Sequence, residues 1–309
     1  MTQTFARTDK PAVYTMAQVV KEYGGEIERR AKNITERYGI STGWNELDNL
    51  LRGGGLLRGL MYVVGGRPGM GKTTFMQNLA VNVAKQQIPI ILFSLELSRE
   101  RLLERMAYQE AGLDFMAHWR KREPLSEAQL LQIRVALRNL AGLPIYVQDT
   151  AGMSPGAITE TLNFYHGEFG IKVMFIDYLH IMRNDQKIFG GGREREIGTM
   201  VEQVRDCAKT LNIACVLASQ LNREVEQNAP YIPSLSNLRD SGSIEQVAYS
   251  VMALYRRDYY IQNGMLTDDD GETPTLNESL DVLMLKQQDG PLGTAHLRFT
   301  DGTGKVENW

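Results

Sequence analysis

One glycine-rich segment of the chain has the residues needed to bind the phosphates of a nucleotide. It follows the pattern G-x-x-x-x-G-K-T and reads Gly66-Arg67-Pro68-Gly69-Met70-Gly71-Lys72-Thr73, with Thr74 next. In this motif backbone N–H groups cradle the phosphates at the N-terminus of a helix, where the helix dipole is positive. The Lys72 ammonium group would contact the β- and γ-phosphates, and the Thr73 hydroxyl group would bind Mg²⁺. The segment therefore predicts a site for ATP and Mg²⁺.

The stretches on either side of this loop have the patterns of a strand and a helix. The apolar run 60–64 precedes the loop and predicts a buried strand, and residues 74–84 follow it with apolar side chains at helical spacing. A strand, a glycine-rich loop and a helix in this order form the context in which the motif binds phosphate. The alternative is a glycine-rich turn that matches the motif by chance.

A second requirement of an ATPase, an acidic group on the metal side, is met by Asp177. This residue ends the apolar run 171–177, which predicts a buried strand. In a parallel sheet of this kind the end of such a strand lies beside the phosphate loop, where a carboxylate can hold Mg²⁺ directly or through water. The alternative is an acid that ends a strand without binding anything.

Two further polar residues follow predicted strands and could act on the γ-phosphate. Glu96 follows the apolar run 88–95, and its carboxylate could orient the attacking water if that strand lies near the phosphate loop. Gln220 follows the strand predicted over 213–219, and its neutral amide could sense whether a γ-phosphate is present. The alternative for Glu96 is a helix-capping or solvent-facing side chain.

Strand and helix patterns alternate from Gly39 onward, which predicts an α/β fold. Near-continuous apolar strands separated by helices indicate a mostly parallel sheet with helices on both faces. The other predicted strands are 145–148, 250–255, 281–286 and 294–299, and the other helices are 99–111, 127–140, 196–211 and one beginning at Pro155. We expect a lead and linker helix over 1–37, followed by the main domain over 38–309.

The linker helix is predicted over residues 16–38, which are highly charged and have a narrow apolar stripe. Gly24 and Gly25 should break or kink it, because glycine is a poor helix former. Such a helix could bind a neighbouring subunit or pack on its own domain, and the pattern does not distinguish these.

Composition limits the classes of function. The 309 residues carry a net charge of −3, so any nucleic-acid site must be a local patch or one created by assembly. Cys207 and Cys215 form no CxxC pair, which fits small buried side chains in a reduced, cytoplasmic protein. The first ten residues have no apolar core of the kind found in a signal peptide, and no apolar stretch is long enough to span a membrane, so we expect neither a signal peptide nor a membrane span in these residues.

Three stretches are predicted to be loops, over residues 184–192, 222–243 and 264–279. The third contains Asp268-Asp269-Asp270-Gly271, but the spacing of these carboxylates does not match a calcium loop. A solvated hairpin tip is therefore predicted there.

Seven segments, in order over residues 36–300, resemble those of the ATPase domain of DnaB-type replicative DNA helicases. They are residues 39–48, 66–75, 94–97, 175–179, 218–223, 238–246 and 286–293, which read GISTGWNELD, GRPGMGKTTF, SLEL, FIDYL, ASQLNR, LRDSGSIEQ and KQQDGPLG. Each segment alone is a weak signal, but seven in series are highly specific. The resemblance implies a RecA-like core, a ring of six subunits, and ATP-driven translocation on single-stranded DNA that unwinds duplex at a replication fork. It also implies a primase or a helicase loader as a partner.

The resemblance assigns roles around the nucleotide. By motif position Glu96 would be the catalytic base, Asp177 the magnesium-side acid and Gln220 the γ-phosphate sensor. Arg105 falls where the family packs an arginine on the nucleotide base. Lys286 matches a lysine that family members insert into the nucleotide site of the neighbouring subunit.

The resemblance also assigns DNA-binding residues. Arg239, Asp240 and Gly242 fall in the family's channel loop, which grips the DNA backbone in a sequence-independent, salt-sensitive way. The glycine-rich loop that carries Arg183, Lys187, Arg193 and Arg195 is a candidate second DNA element. Its alternative is a mobile, solvated loop.

Three features depart from the family pattern. The family has an arginine finger two residues after the lysine at Lys286, and this chain has Gln288 there. Since a finger supplies transition-state charge, either Lys286 or another arginine (Arg256 or Arg257) substitutes, or hydrolysis is slow. Asp240 replaces the usual Glu of the channel loop. The family's N-terminal helical domain has no counterpart in these residues, which fits a short phage or mobile-element form or an excised piece.

Two alternatives to a helicase motor follow. One is a RecA-like recombinase or clock-type ATPase with the same core, although residues 239–246 are closer to the helicases. The other is a nucleotide-binding ring or regulatory subunit that binds ATP and DNA but hydrolyses ATP poorly.

Overall fold

The computed structural model describes residues 13–33, 35–184, 192–227, 229–238, 241–266 and 278–309. The chain separates into two compact units, Met1–Arg37 and Tyr38–Trp309.

The first unit contains the helix α1, Met16–Lys32. Thr15 caps its N-terminus in a reciprocal capping box with Gln18. The expected break at Gly24 and Gly25 does not occur, and the helix ends at Lys32 instead of continuing to Tyr38. Ion pairs from Glu26 to Arg29 and Arg30, three and four residues along the helix, help to offset the cost of the two glycines.

The second unit is built on one nine-stranded sheet with the order β3-β2-β4-β5-β1-β6-β7-β8-β9. Its strands are β1 (Met61–Gly66), β2 (Ile90–Ser94), β3 (Ile145–Gln148), β4 (Val173–Asp177), β5 (Ala214–Gln220), β6 (Ser250–Tyr255), β7 (Ser279–Gln287), β8 (Gly293–Thr300) and β9 (Lys305–Asn308). The pairs among β1 to β6 are parallel, and β6 to β9 pair antiparallel. The predicted mostly parallel α/β sheet is confirmed.

Helices cover the sheet. They are α2 (Asn45–Leu50), α3 (Lys72–Lys85), α4 (Arg99–Ala111), α5 (Phe115–Lys121), α6 (Glu127–Ala141), α7 (Pro155–Phe169), α8 (Arg193–Leu211), α9 (Ser241–Val247) and α10 (Arg257–Gln262). Neighbouring strand residues face opposite sides, so Val64 packs in a core with Phe75 of α3, and Val63 packs in a second core with Val201 of α8. Two apolar layers, one on each face, explain why the central strands have continuous apolar sequences.

The last strand ties the second unit together. The Trp44 indole donates a hydrogen bond to the Val306 carbonyl at 3.1 Å and stacks on Phe75 with ring centroids 4.8 Å apart. On α3, Asn78 accepts from the Val306 N–H at 3.1 Å and donates to the Gly304 carbonyl at 2.9 Å. The helix that follows the phosphate loop is thereby fixed to β9.

The other sequence expectations have mixed outcomes. Cys207 and Cys215 are free and buried, as expected. Residues 185–191 and the segment 268–271 lie outside the described residues. In the part of the chain that the structure covers, no helix has both the length and the apolar character to cross a membrane.

Candidate active site

The ends of the parallel strands bring the predicted chemical groups to one edge of the sheet. Gly66 at the end of β1 pairs with Gln220 at the end of β5, and Ser94 at the end of β2 pairs with Asp177 at the end of β4. In open parallel sheets ligands bind beyond the carboxyl ends of the strands. The phosphate loop, Asp177 and Gln220 therefore lie at the edge where a ligand is expected.

A cleft of about 510 Å³ opens at this edge. Its lining residues are Pro68, Gly69, Gly71, Lys72, Thr73, Thr74, Glu96, Arg105, Asp177, Tyr178 and Gln220. Glu96 reaches the cleft although β4 and β5 separate its strand from β1, because it lies just beyond the strand end. Tyr178 was not singled out from the sequence, and its position directly after Asp177 is the signal that could have found it.

Lys72 begins α3 with its ammonium group folded over the loop. Its Nζ donates to the carbonyl of Gly66 at 2.7 Å and to that of Arg67 at 3.3 Å. Burial lowers the pKa of Lys72 to about 8, although the carboxylates of Asp177 and Glu96 act in the opposite direction. A bound phosphate would supply the compensating negative charge that this buried ammonium group lacks.

Asp177 is buried, and burial raises the pKa of its carboxyl group. A hydrogen bond from the Thr73 hydroxyl and the charges of Lys72 and Arg105 act in the opposite direction. A desolvated carboxylate beside a hydroxyl group is a suitable oxygen pair for Mg²⁺, which uses few protein ligands and takes the rest from phosphates and water. No cluster of three or more His, Cys, Asp or Glu side chains that could hold a metal ion occurs among the described residues.

The loop conformation requires glycine at Gly69 and Gly71. Both have positive φ, +86° and +83°. A Cβ at Gly69 would lie 2.6 Å from the hydroxyl oxygen of Tyr259, and one at Gly71 would lie 3.2 Å from the Phe299 ring. Tyr259 and Phe299 thus support the loop from behind, which their sequence context did not indicate.

Two loop side chains point away from the nucleotide position. Met70 is buried in the apolar core that contains Phe75. The Arg67 side chain is only 9% exposed and forms an ion pair with Glu226. Gly66, Arg67 and Met70 can therefore contribute backbone groups to the predicted phosphate cradle, but Arg67 and Met70 do not direct side chains at it.

Arg105 lies on an exposed position of α4 and lines the cleft, and its contact with the nucleotide base stays a prediction. Lys286, on β7, is elsewhere: its Nζ donates to the Ala248 carbonyl at 2.8 Å and also to the Glu245 carbonyl. Burial lowers the pKa of Lys286. The structure therefore brings Arg105, but not Lys286, to the cleft of the same chain.

The candidates for a substitute arginine finger differ in burial. Arg256 is 4% exposed and bound by Asp258 and Asp301 at 2.6 and 2.7 Å, with its guanidinium group 4.2 Å from the centre of the Phe299 ring. Arg257, by contrast, is exposed, as is Gln288, the residue that follows β7. Because Arg256 is held inside its own chain, it is a poor candidate for entering another subunit.

Part of the predicted DNA-binding region is described. Arg239 and Asp240 lie outside the described residues, whereas Gly242 lies in α9 and a Cβ there would be 3.3 Å from a carboxylate oxygen of Glu194 in α8. Arg193 and Arg195 are in the first turn of α8, and Arg193 binds Glu196 at 2.6 Å. The structure therefore brings Gly242 close to the helical turn that carries the two arginines.

Residues 39–308 match the family model described as DnaB-like helicase C terminal domain. Similar curated proteins include the replicative DNA helicase DnaC of Bacillus subtilis, 33% identical over 284 residues that cover 92% of this chain and 59% of that protein. Another is the probable replicative DNA helicase of Trieres chinensis, 34% identical over 265 residues that cover 84% of this chain and 55% of that protein. The chain thus spans less than two thirds of the length of these relatives.

Two solved structures have the same fold. One is described as an ATPase domain, with a TM-score of 0.83 and 26% identity, covering 94% of this chain and 98% of that one. The other is a DnaB-like replicative helicase described with its interactions with primase, with a TM-score of 0.81 and 25% identity, covering 98% of this chain and 68% of that one.

Proposed function

This chain belongs to the DnaB-like helicase family, and we propose that it is the ATP-driven motor of a replicative DNA helicase. The observation that carries the proposal is the convergence of Lys72, Thr73, Glu96, Asp177 and Gln220 on one cleft. The motor would assemble as a ring, a hexamer by resemblance to the family, and translocate on single-stranded DNA in the cytoplasm. A primase or a helicase loader is the proposed protein partner.

Each of the cleft residues would have a separate role in the hydrolysis of ATP. Lys72 would move from the loop carbonyls onto the β- and γ-phosphates and balance their charge. Glu96 would hold the attacking water in line with the γ-phosphate and accept its proton. Gln220 would donate a hydrogen bond to the γ-phosphate, and so distinguish ATP from ADP.

Thr73 and Asp177 would hold Mg²⁺. The ion would supply positive charge to the β- and γ-phosphate oxygens during transfer of the phosphoryl group. On the other side of the cleft, the Arg105 guanidinium group would pack on the face of the nucleotide base.

The cleft of a single chain is short of positive charge. Among its lining residues, the cations are Lys72 and Arg105. Transition-state charge on the γ-phosphate would therefore be balanced by a residue of a neighbouring subunit, for which we propose Lys286 or Arg257. This requirement supports an assembly in which sites are completed between subunits.

DNA would be bound through Arg239, Asp240 and Gly242, with Arg193 and Arg195 as a second element. The packing of α9 against the first turn of α8 supports a single DNA-binding region built from both segments. The contacts would be to phosphates, so binding would weaken steeply with salt and show little sequence preference.

The test is ATP hydrolysis with and without single-stranded DNA at two protein concentrations. We expect DNA to stimulate turnover, and turnover to rise more than linearly with protein, because active sites form between subunits. Lys72→Ala is the control and should lose nucleotide binding. ATP binding with negligible turnover under all conditions would contradict the motor and favour a nucleotide-binding ring.

A further inference from the structure

The Arg67 side chain leaves the phosphate loop and binds a different segment of the chain. Its Nε and Nη2 donate to the two carboxylate oxygens of Glu226 at 2.9 and 3.0 Å, and its Nη1 donates to the Leu221 carbonyl at 3.0 Å. A two-pronged arginine–carboxylate pair fixes orientation as well as distance. Three contacts to one segment therefore make Arg67 a stiff connection.

The backbone of the same residue is part of the nucleotide site. The Arg67 carbonyl accepts hydrogen bonds from the Met70 N–H at 3.2 Å and from the Lys72 ammonium group at 3.3 Å. A displacement of Arg67 would therefore change the position of the loop and of its phosphate-binding lysine.

Glu226 lies on a 3₁₀ helix, Arg223–Gln227, in a segment whose two ends are joined. Leu221 and Leu238 form an antiparallel bridge, and the Asn222 N–H donates to the Asn237 carbonyl at 2.8 Å. One end of this segment follows Gln220, and the other end precedes Arg239. The segment 221–238 therefore links the predicted γ-phosphate sensor to the predicted DNA loop, and Arg67 holds it from the nucleotide side.

Burial makes this ion pair hard to separate. The Arg67 side chain is 9% exposed and that of Glu226 is 31% exposed. Loss of the carboxylate would leave the buried guanidinium group without its partner charge, which is costly in a protein interior. The loop and the segment 221–238 should consequently move together.

We propose that the Arg67–Glu226 ion pair couples nucleotide binding to DNA binding, with Arg67 and Glu226 as positioning residues. The inference rests on the proposed function, since it needs a chain that binds both ligands. In the simplest form of this coupling, bound nucleotide displaces the phosphate loop and Arg67 displaces Glu226 with it. The bridge between Leu221 and Leu238 then transmits the displacement to the DNA loop.

The experiment measures coupling directly in the 309-residue chain. The affinity for a fluorescent oligothymidylate is determined with and without a non-hydrolysable ATP analogue, and the affinity for the analogue with and without DNA. The two ratios must agree, and for a coupled pair of sites they are typically about 5- to 150-fold. We expect Glu226→Gln to bring both ratios close to one. The melting temperature should fall, because the buried guanidinium group loses its partner charge, whereas analogue affinity without DNA should stay at the wild-type value, because the bond from Arg67 to the Leu221 carbonyl remains.

Two further variants separate coupling from a general loss of charge. Glu224→Gln removes the same charge from an exposed position of the same 3₁₀ helix and should keep the wild-type ratio. Glu226→Asp keeps a carboxylate and should restore part of the ratio.

Each remaining outcome counts against the inference. A wild-type ratio in Glu226→Gln would overturn the coupling and leave the proposed function intact. Parallel losses of melting temperature and of analogue affinity without DNA would show a merely structural pair. A wild-type chain that binds no DNA would overturn the proposed function, and the coupling with it.

Discussion

Gln220, the last residue of β5, lies directly opposite Gly66, the last residue of β1, where the phosphate loop begins. The Leu221 N–H continues the contact by donating to the Gly66 carbonyl at 3.3 Å. The proposed γ-phosphate sensor and the loop proposed to cradle the phosphates are therefore held in register by the sheet itself. The fixed positions of Gln220 and Gly66 give a reference for interpreting the effects of mutations in the surrounding cleft.

Glu96→Gln should abolish turnover and leave ATP binding intact. The amide keeps the size of the side chain but cannot accept a proton from water, and general-base catalysis contributes about 10²- to 10⁴-fold. Turnover in the presence of DNA and nucleotide affinity by fluorescence are the two measurements. Glu100→Gln, an exposed charge change on α4, is the control. Unchanged turnover in Glu96→Gln would place the base elsewhere.

Nucleotide binding should take up a proton at alkaline pH. The pKa of Lys72 in the unliganded protein is lowered to about 8, so near pH 9 most of these lysines are neutral and must be protonated to bind phosphate. Calorimetry of ADP binding without metal, in buffers of different ionisation enthalpy, should show uptake approaching one proton at about pH 9 and almost none at about pH 6.5. Equal proton uptake at the two pH values would contradict this.

The same pKa shift predicts the sign of an effect on stability. A lysine whose pKa is lower in the folded state destabilises the fold below pH 8, and this penalty is relieved as the pH rises from about 8 toward the unfolded value of 10.5. ATP affinity, by contrast, should fall over that interval, because binding must supply the missing proton.

Gly69→Ala should weaken ATP binding and destabilise the protein. The left-handed conformation costs an L-residue about 1–2 kcal/mol, and the new Cβ would lie 2.6 Å from the Tyr259 hydroxyl oxygen. Gly112→Ala is a matched control, because Gly112 also has positive φ but has nothing within 4 Å of its Cβ position. Denaturation and nucleotide titration should show a larger effect at Gly69, part of which Tyr259→Ala relieves. Equal effects of the substitutions at Gly69 and Gly112 would show that the contact with Tyr259 does not contribute.

Arg239→Ala should weaken binding of single-stranded DNA with little change in basal ATP hydrolysis. Loss of one phosphate contact should also reduce the salt slope of DNA binding by about one. Titrations of oligothymidylate over a range of salt concentrations provide both numbers. Arg134→Ala, on an exposed position of α6, serves as the control. A DNA affinity unaffected by Arg239→Ala would rule out the proposed channel contact.

Gln288→Arg should raise DNA-stimulated ATP hydrolysis. In other NTPases an arginine finger contributes about 10³- to 10⁵-fold. An added finger should give a smaller gain here, because the proposed role of Lys286 or Arg257 is to supply part of the charge. Gln288→Glu should not raise the rate. If Gln288→Arg leaves hydrolysis unchanged, a cation from elsewhere in the assembly already fills this role.

Much of the sheet is predictable from sequence, because buried parallel strands have continuous apolar sequences. The strand predicted over 145–148 coincides with β3, and Asp177 and Gln220 end their strands as expected. The helices α2, α5, α9 and α10 escape prediction because six or seven residues are too few for a helical pattern, and β9 escapes because its sequence, KVEN, is mostly polar. A break at Gly24 and Gly25 is wrong because the capping box and the ion pairs elsewhere in α1 outweigh the two glycines.

The candidate catalytic and binding residues of the cleft are more predictable from sequence than the residues that hold them in place. Lys72, Thr73, Glu96 and Asp177 belong to local motifs that mark the end of a strand or the start of a helix. The contacts of Tyr259 with Gly69 and of Glu226 with Arg67 join residues far apart in sequence, and no local sequence pattern predicts them. A charged residue in a loop gives no indication that its partner lies on a 3₁₀ helix.

The fixing of α3 by β9 has a consequence for biosynthesis. Asn78 meets its backbone partner Val306 only 228 positions later in the chain. At a translation rate of about 5–20 residues per second, a ribosome needs roughly 10 to 50 s to cover that distance. During this time the nascent phosphate loop is already exposed, but the strand that fixes its helix has not been made. The apolar face of α3 therefore lacks its β9 partner throughout this interval, when transiently exposed hydrophobic surface is prone to aggregation.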